Sequence, residues 1–168
     1  MHYVQPPEYA LFDESSVVKT SGTRQYGHVP VGQSTVEVQR YPSNATYTIN
    51  LLHNTIGVSH INVTQGPSNG FELLNFFAEA LDETDILGNP ILKDGDIVIM
   101  DNCGFHHACH VEPVPRNMLE LNGVHLAFQP PYHPVYNTCE FCFNLLKSWL
   151  RKNSELAKHY TEMLFMTL

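Results

Sequence analysis

The sequence lacks any apolar run long enough to cross a bilayer. Its continuous apolar stretches, such as residues 97–100, and the apolar clusters of residues 71–81 fall far short of the roughly 20 residues that a membrane-spanning helix needs. The first eight residues carry no basic start followed by an apolar stretch, so no secretory signal is expected. We expect a protein without a membrane partner that works inside the cell, in the nucleus if the source is a eukaryote.

Basic residues are scarce. Nine Lys and Arg stand against 17 Asp and Glu, which gives a formal net charge of −8. Domains that bind nucleic acid by themselves are usually basic, because they neutralise backbone phosphates. This balance argues against a stand-alone nucleic-acid-binding domain and predicts weak binding to DNA by this chain alone.

Cysteine is also too sparse for the disulfide framework of a small secreted protein, and we interpret the four cysteines as thiols. The spacing of Cys139 and Cys142 matches one half of a zinc site, but Cys103 and Cys109 make a poor second half. We therefore do not expect zinc. Packing on a helix is the favoured fate of Cys139 and Cys142.

What the sequence does have is enough apolar content, 43% of 168 residues, for one globular domain with its own core. No linker, repeat or low-complexity segment divides it, so we expect a single domain over residues 1–168.

Alternation of apolar and polar residues predicts several strands, and longer periodic segments predict helices. The predicted strands are residues 8–13, 35–41, 47–51, 58–63, 97–100 and 124–128. The predicted helices are residues 71–81, capped by Ser68 or Asn69, then 113–121, 137–152 and 155–164. This order indicates an α/β protein with a mixed β-sheet flanked by helices.

Three acids stand at the ends of predicted elements. Asp13 follows the first strand, Asp101 follows the buried strand at residues 97–100, and Glu140 lies in the first turn of a helix. Phosphodiester hydrolysis and transfer commonly use two hard cations, about 4 Å apart, held by carboxylates. Three converging carboxylates are sufficient for that task.

The residues around these three acids form sequence motifs that are specific to one protein family. Residues 12–15 (FDES) and 99–107 (IMDNCGFHH) resemble the first two acidic motifs of the Tc/mariner transposase superfamily, and residues 130–140 (PPYHPVYNTCE) resemble the third. The family's usual third motif is close to Pro-Pro-Tyr-Ser-Pro followed by Leu-Asn-Pro-Ile-Glu, and a Leu-Lys pair follows on the next helix. Leu146 and Lys147 occupy that place here, and the departures within the third motif remove no acid.

The resemblance covers residues 9–152 and implies an RNase H-like catalytic domain. It implies that Asp13, Asp101 and Glu140 are catalytic and hold Mg²⁺ or Mn²⁺, with two ions expected. It also implies cutting of one DNA strand by water, followed by attack of the freed 3′ hydroxyl on a target phosphate. Asn102, His106, His107, Lys147 and Arg151 are candidates for contacts to DNA or to the metal ligands.

Each of these assignments has a simpler alternative. Asn137 and Glu140 have the spacing of a capping box, in which the glutamate would only satisfy backbone donors. Asp13 could cap a turn, with Glu14 as the ligand or as a solvated neighbour. Lys147 and Arg151 share a helix face with Glu140, and that face could be the solvated side of an amphipathic helix.

Related full-length transposases carry helix-turn-helix DNA-binding modules ahead of the catalytic domain, whereas twelve residues precede Asp13 here. We therefore expect another segment or subunit to supply most of the DNA contacts, and a homo-oligomer is one such arrangement. Two functions remain open. One is a metal-dependent DNA endonuclease and strand-transfer core, and the other is a catalytically silent remnant of a transposase that serves as an interaction module.

Overall fold

The computed structural model describes residues 8–18, 29–34, 46–102, 112–130 and 137–153. The predicted strand at residues 35–41 and the predicted helix at residues 155–164 lie outside these ranges.

The described chain forms five strands and three helices. In chain order they are β1 (Tyr9–Val18), β2 (Thr46–His53), β3 (Val58–Gln65), α1 (Gly70–Asp82), β4 (Ile97–Met100), α2 (Pro113–Leu121), β5 (His125–Phe128) and α3 (Cys139–Lys152). The strands form one sheet in the order β3-β2-β1-β4-β5. β1 pairs antiparallel with β2 and parallel with β4, so the sheet is mixed, and the predicted α/β architecture is confirmed.

Strand β1 is longer than the sequence predicts. The prediction ends it at Asp13, but the strand continues to Val18 and therefore carries Asp13 in its interior. The extension, from Glu14 to Val18, pairs residue by residue with β2, where Glu14 lies opposite Asn50. Residues 13–16 are all polar, so they show no alternation of apolar and polar residues from which a strand could be predicted. They form a strand through their pairing with β2, which is distant in the sequence.

One face of the sheet packs against α1 and α2. Phe12 of β1 is fully buried there, and its ring lies 5.0 Å from that of Phe76 and 5.1 Å from that of Phe77. Val98 and Met100 of β4 complete the same cluster. Burial of this many large apolar side chains fixes the register of β1 against β4, since a slip by one residue would turn Phe12 out of the core.

The other face packs against α3. Val17, Ile49 and Leu51 of the sheet are buried against Phe143 and Leu150 of the helix. Because side chains alternate along a strand, Asp13 lies on this face, between Leu11 and Ser15. The fold thus points the first acid toward the helix that carries the third.

Helix α1 begins where the sequence predicts. The side chain of Asn69 accepts hydrogen bonds from the backbone N–H groups of Phe71 and Glu72. Asn69 is therefore the N-cap, while Ser68 donates its hydroxyl to Glu14 Oε2 at 3.4 Å. Among the helices in the described ranges, none is long and apolar enough to cross a membrane.

Candidate active site

Strand register brings the first two acids side by side. Phe12 of β1 pairs with Met100 of β4 in a parallel arrangement, and Asp13 and Asp101 are the next residues of their chains. β4 ends at Met100, so Asp101 leaves the sheet at its carboxyl edge, where sites of open α/β sheets gather. The predicted position of Asp101 at a strand end is confirmed. Asp13 lies at the same level, and its own strand continues beyond it to Val18.

Asp13 is buried and held at both carboxylate oxygens. Its side chain is 9% exposed. Oδ1 accepts a hydrogen bond from the backbone N–H of Glu14 at 2.8 Å, and Oδ2 accepts one from the side-chain amide of Asn137 at 2.8 Å. Each oxygen has a second lone pair. The carboxylate is therefore oriented by the protein while it retains capacity to bind a cation.

The environment of Asp13 raises its pKa from 3.8 to about 6. Burial is the largest cause, because it penalises the charged form. The hydrogen bonds from Asn137 and Glu14 lower the pKa, whereas the negative charges of Asp101 and Glu140 raise it. The contributions of Asp101 and Glu140 to the Asp13 pKa are smaller than those of burial and of the two hydrogen bonds.

Glu140 is the second residue of α3 and is exposed. The capping-box alternative finds little support. Thr138 is the N-cap and makes no side-chain capping bond, and it is Asn137 Oδ1 that accepts the N–H of Cys139 at 3.2 Å. Within the described residues, Glu140 contributes its backbone N–H to Asn137 at 3.3 Å but makes no capping bond through its carboxylate.

The donors at this edge suit a hard divalent cation. They are carboxylate oxygens, which Mg²⁺ and Mn²⁺ prefer. The negative charges of Asp101 and Glu140 raise the pKa of Asp13, and a bound cation would offset this repulsion between like charges. In the part of the chain that the structure describes, no three His, Cys, Asp or Glu side chains are already spaced as a metal centre. Donor type and charge therefore fit the ions, while the three carboxylates are not drawn together into a finished site.

Cys139 belongs to the core. It is fully buried, and its thiol donates a weak hydrogen bond to the carbonyl of Leu11 at 3.3 Å. Burial raises the pKa of the Cys139 thiol and also that of Cys142, which disfavours the thiolate that zinc requires. Cys103 and Cys109 lie outside the described residues.

The basic residues of α3 differ in their surroundings. Lys147 is partly buried and donates to the hydroxyl of Ser15 on β1 at 2.7 Å, two residues beyond Asp13. Arg151 and Asn144 are exposed, as a solvated helix face would be. Asn102 is exposed beside Asp101, whereas His106 and His107 lie outside the described residues.

Sequence reasoning missed the roles of Asn137 and Ser15. Asn137 was read only as a helix cap, yet its amide also binds Asp13, 124 residues earlier in the chain. Ser15 lies beyond the end of the strand predicted at residues 8–13. No local pattern indicates either contact, since both join β1 to the region of α3 across the fold.

Comparison with protein families finds one match over most of the chain. Residues 9–162 match the family described as DDE superfamily endonuclease. Comparison with curated protein sequences finds no match.

Solved structures share the fold. A pre-cleavage Mos1 transpososome superposes with a TM-score of 0.63 at 16% identity, over 95% of this chain and 48% of that chain. A Mos1 transposase paired-end complex with the left transposon end gives 0.58 at 16% identity, over 84% and 41%. An intasome of simian T-cell lymphotropic virus in complex with PP2A regulatory subunit B56 gamma gives 0.54 at 15% identity, over 88% and 41%. The fold is thus the expected RNase H-like one, and the chain spans about half the length of the solved transposase chains that it matches.

Proposed function

The chain belongs to the DDE superfamily endonuclease family, and we propose that it is a metal-dependent catalytic core that cuts DNA phosphodiesters and joins 3′ hydroxyl ends. Asp13, Asp101 and Glu140 are the proposed catalytic residues and metal ligands. The proposed unit is one catalytic domain spanning residues 1–168.

One observation carries the proposal: a buried, doubly hydrogen-bonded aspartate lies next to Asp101 at the carboxyl edge of the sheet. Its pKa is raised by burial and further by the negative charges of Asp101 and Glu140. Such an arrangement costs stability in the absence of a counterion, because burial and like charges both disfavour the ionised form. Strongly raised carboxyl pKa values of this kind cluster at functional sites.

We propose Mg²⁺ or Mn²⁺, with two ions, as the cofactor of the three acids. Solved Mos1 paired-end complexes with Mn and with Mg have this fold, with TM-scores of 0.51 and 0.52. When bound, such ions supply charge neutralisation at the phosphate and lower the pKa of a coordinated water. The protein's share is to orient the Asp13 carboxylate through Asn137 and Glu14, and to bring Asp101 beside it by strand register.

DNA is the proposed partner, and we propose that another segment or subunit makes most of the contacts to it. The net charge of −8 opposes binding by this chain alone. Lys147, held beside β1 by Ser15, and the exposed Arg151 are the proposed phosphate contacts on α3. Asn102, His106 and His107, which follow Asp101 in the sequence, are further candidates. The Mos1 matches are complexes with paired transposon ends or transferred strands, so a homo-oligomer is the proposed working form. We place the protein inside the cell, and in the nucleus of a eukaryotic source.

The test is nicking of supercoiled plasmid DNA at low salt with Mn²⁺ or Mg²⁺. Wild-type protein should nick, and Asp101→Asn should lower the rate by at least about a hundredfold, because one of the three carboxylates proposed to hold the metal loses its charge. Its thermal midpoint should stay within a few degrees. Asp82→Asn, which alters an exposed acid at the end of α1, is the matched control and should nick like wild type.

Absence of nicking by a folded wild-type protein, with DNA ends and both metals supplied, would overturn the catalytic proposal. That result would favour the alternative function, a catalytically silent interaction module derived from a transposase.

A further inference from the structure

The Asn137 side chain lies at the junction of β1 and α3. It is 7% exposed, and Asp13 beside it is 9% exposed. The amide nitrogen donates to Asp13 Oδ2 at 2.8 Å, and the amide oxygen accepts the N–H of Cys139, the first residue of α3, at 3.2 Å. One rigid planar amide therefore joins the first acid to the start of the helix that carries the third.

We propose that Asn137 is a positioning residue, which fixes the Asp13 carboxylate against the first turn of α3 and so sets the relation between Asp13 and Glu140 before any metal binds. The inference rests on the proposed function only for what the positioned carboxylate does. The positioning itself is a property of the apo fold.

A capping role alone does not account for this geometry. A helix cap uses only an oxygen acceptor, and serine, threonine or aspartate would provide one equally well. Here the amide nitrogen is also engaged, by a buried carboxylate 124 residues away. A hydrogen bond to an ionised acceptor in a site shielded from water is among the stronger ones in proteins, so it restrains the carboxylate effectively.

A second contact strengthens the same junction. The thiol of Cys139 donates to the carbonyl of Leu11, two residues before Asp13, at 3.3 Å. The first residue of α3 is thus anchored to β1 directly by its thiol and indirectly through Asn137. With the Glu14 N–H on its other oxygen, the Asp13 carboxylate can rotate only by breaking a hydrogen bond.

Two substitutions separate positioning from capping. Asn137→Ala removes both hydrogen bonds, whereas Asn137→Ser keeps a good capping oxygen and removes the amide donor that reaches Asp13. Mn²⁺ affinity is measured on the folded proteins by electron paramagnetic resonance. We expect Asn137→Ser to lose about tenfold or more in Mn²⁺ affinity, the range seen when residues that orient metal ligands are changed, with a thermal midpoint near that of wild type.

Thr138→Val is the matched control. Thr138 is the neighbouring residue, and its hydroxyl makes a hydrogen bond of 2.9 Å to Nδ1 of His53 instead of to an acid. The Mn²⁺ affinity of Thr138→Val should stay within about twofold of wild type, because the lost hydrogen bond orients none of the proposed metal ligands. Equal affinity of Asn137→Ser and wild type would overturn the proposal and leave Asn137 as a cap.

A metal-free measurement keeps this inference separate from the proposed function. In a double-mutant cycle of Asp13→Ala and Asn137→Ala, the unfolding equilibrium constant of the double variant should differ about threefold or more from the product of the single effects, as for residues in contact. If wild type binds no Mn²⁺ but the cycle shows this coupling, the proposed function fails and the positioning stands. Additive effects would overturn the positioning whatever the metal does.

Discussion

At the scale of single residues, Asp13 shows how the fold holds an acid where its charge is unfavourable. It is buried, and its pKa is raised from 3.8 to about 6, mainly by burial and to a smaller extent by the negative charges of Asp101 and Glu140. The two hydrogen bonds that orient it recover only part of the cost. The protein thereby gives up stability for a carboxylate of fixed direction, a trade common at sites where function needs strain or charge.

The pH dependence follows from the direction of this shift. Since the native state holds the Asp13 proton more tightly than the unfolded chain, the stability that this proton gives is complete below about pH 4 and is lost as pH rises through about 6. Asp13→Asn removes the charge but also one of the two acceptor oxygens. Its effect on the free energy of unfolding should therefore be more favourable at pH 7.5 than at pH 4, by on the order of 2 kcal/mol. Urea unfolding at the two pH values measures this difference.

Asp82→Asn again serves as the exposed control, with little expected difference between the two pH values. If Asp13→Asn changed the free energy of unfolding equally at pH 4 and pH 7.5, the claim that the charge of Asp13 destabilises the fold would be contradicted.

At the scale of elements, α3 has two unlike sides. Phe143 and Leu150 are 3% and 4% exposed in the cluster against the sheet, whereas Phe141 and Leu145 on the same helix are 71% and 73% exposed. The apolar contacts that hold the helix against the sheet, and with it Glu140, are made by the buried side. We predict that Phe143→Ala lowers the free energy of unfolding by about 3–4 kcal/mol.

Leu145→Ala removes an apolar side chain of the same helix from its exposed side, and it should change the free energy of unfolding by no more than about 0.5 kcal/mol. Chemical denaturation of both variants checks the pair. Comparable losses for the two would mean that the exposed side of α3 is packed in solution.

The sequence predicts these elements well where burial alone decides them. The bounds of β4 and α2 agree with the structure, because an unbroken apolar run and a helix that starts at proline are local signals. β1 was predicted five residues too short, since its polar half is a strand only through its ladder to β2. The three acids could be predicted from the sequence motifs that surround them. The hydrogen bond from Asn137 to Asp13 could not be predicted, because it joins segments 124 residues apart.

At the scale of the whole molecule, the net charge and the relative length of the chain both bear on how DNA would be bound. The net charge is −8, and the chain spans about half of each solved transposase chain that it matches. A catalytic core needs few phosphate contacts of its own if DNA is held elsewhere in an assembly. We therefore propose, as the composition predicts, that this domain cuts DNA and that another segment or subunit makes most of the DNA contacts.

The central claim is that Asp13, Asp101 and Glu140 hold divalent metal. The most direct measurement is a crystal structure of the protein grown with Mn²⁺, with data collected for the anomalous signal of manganese. The account predicts one or two anomalous peaks between the carboxylates of Asp13, Asp101 and Glu140, lost in Asp101→Asn crystals grown in the same way. Well-ordered carboxylates with no manganese between them at saturating Mn²⁺, or manganese bound only elsewhere, would contradict it.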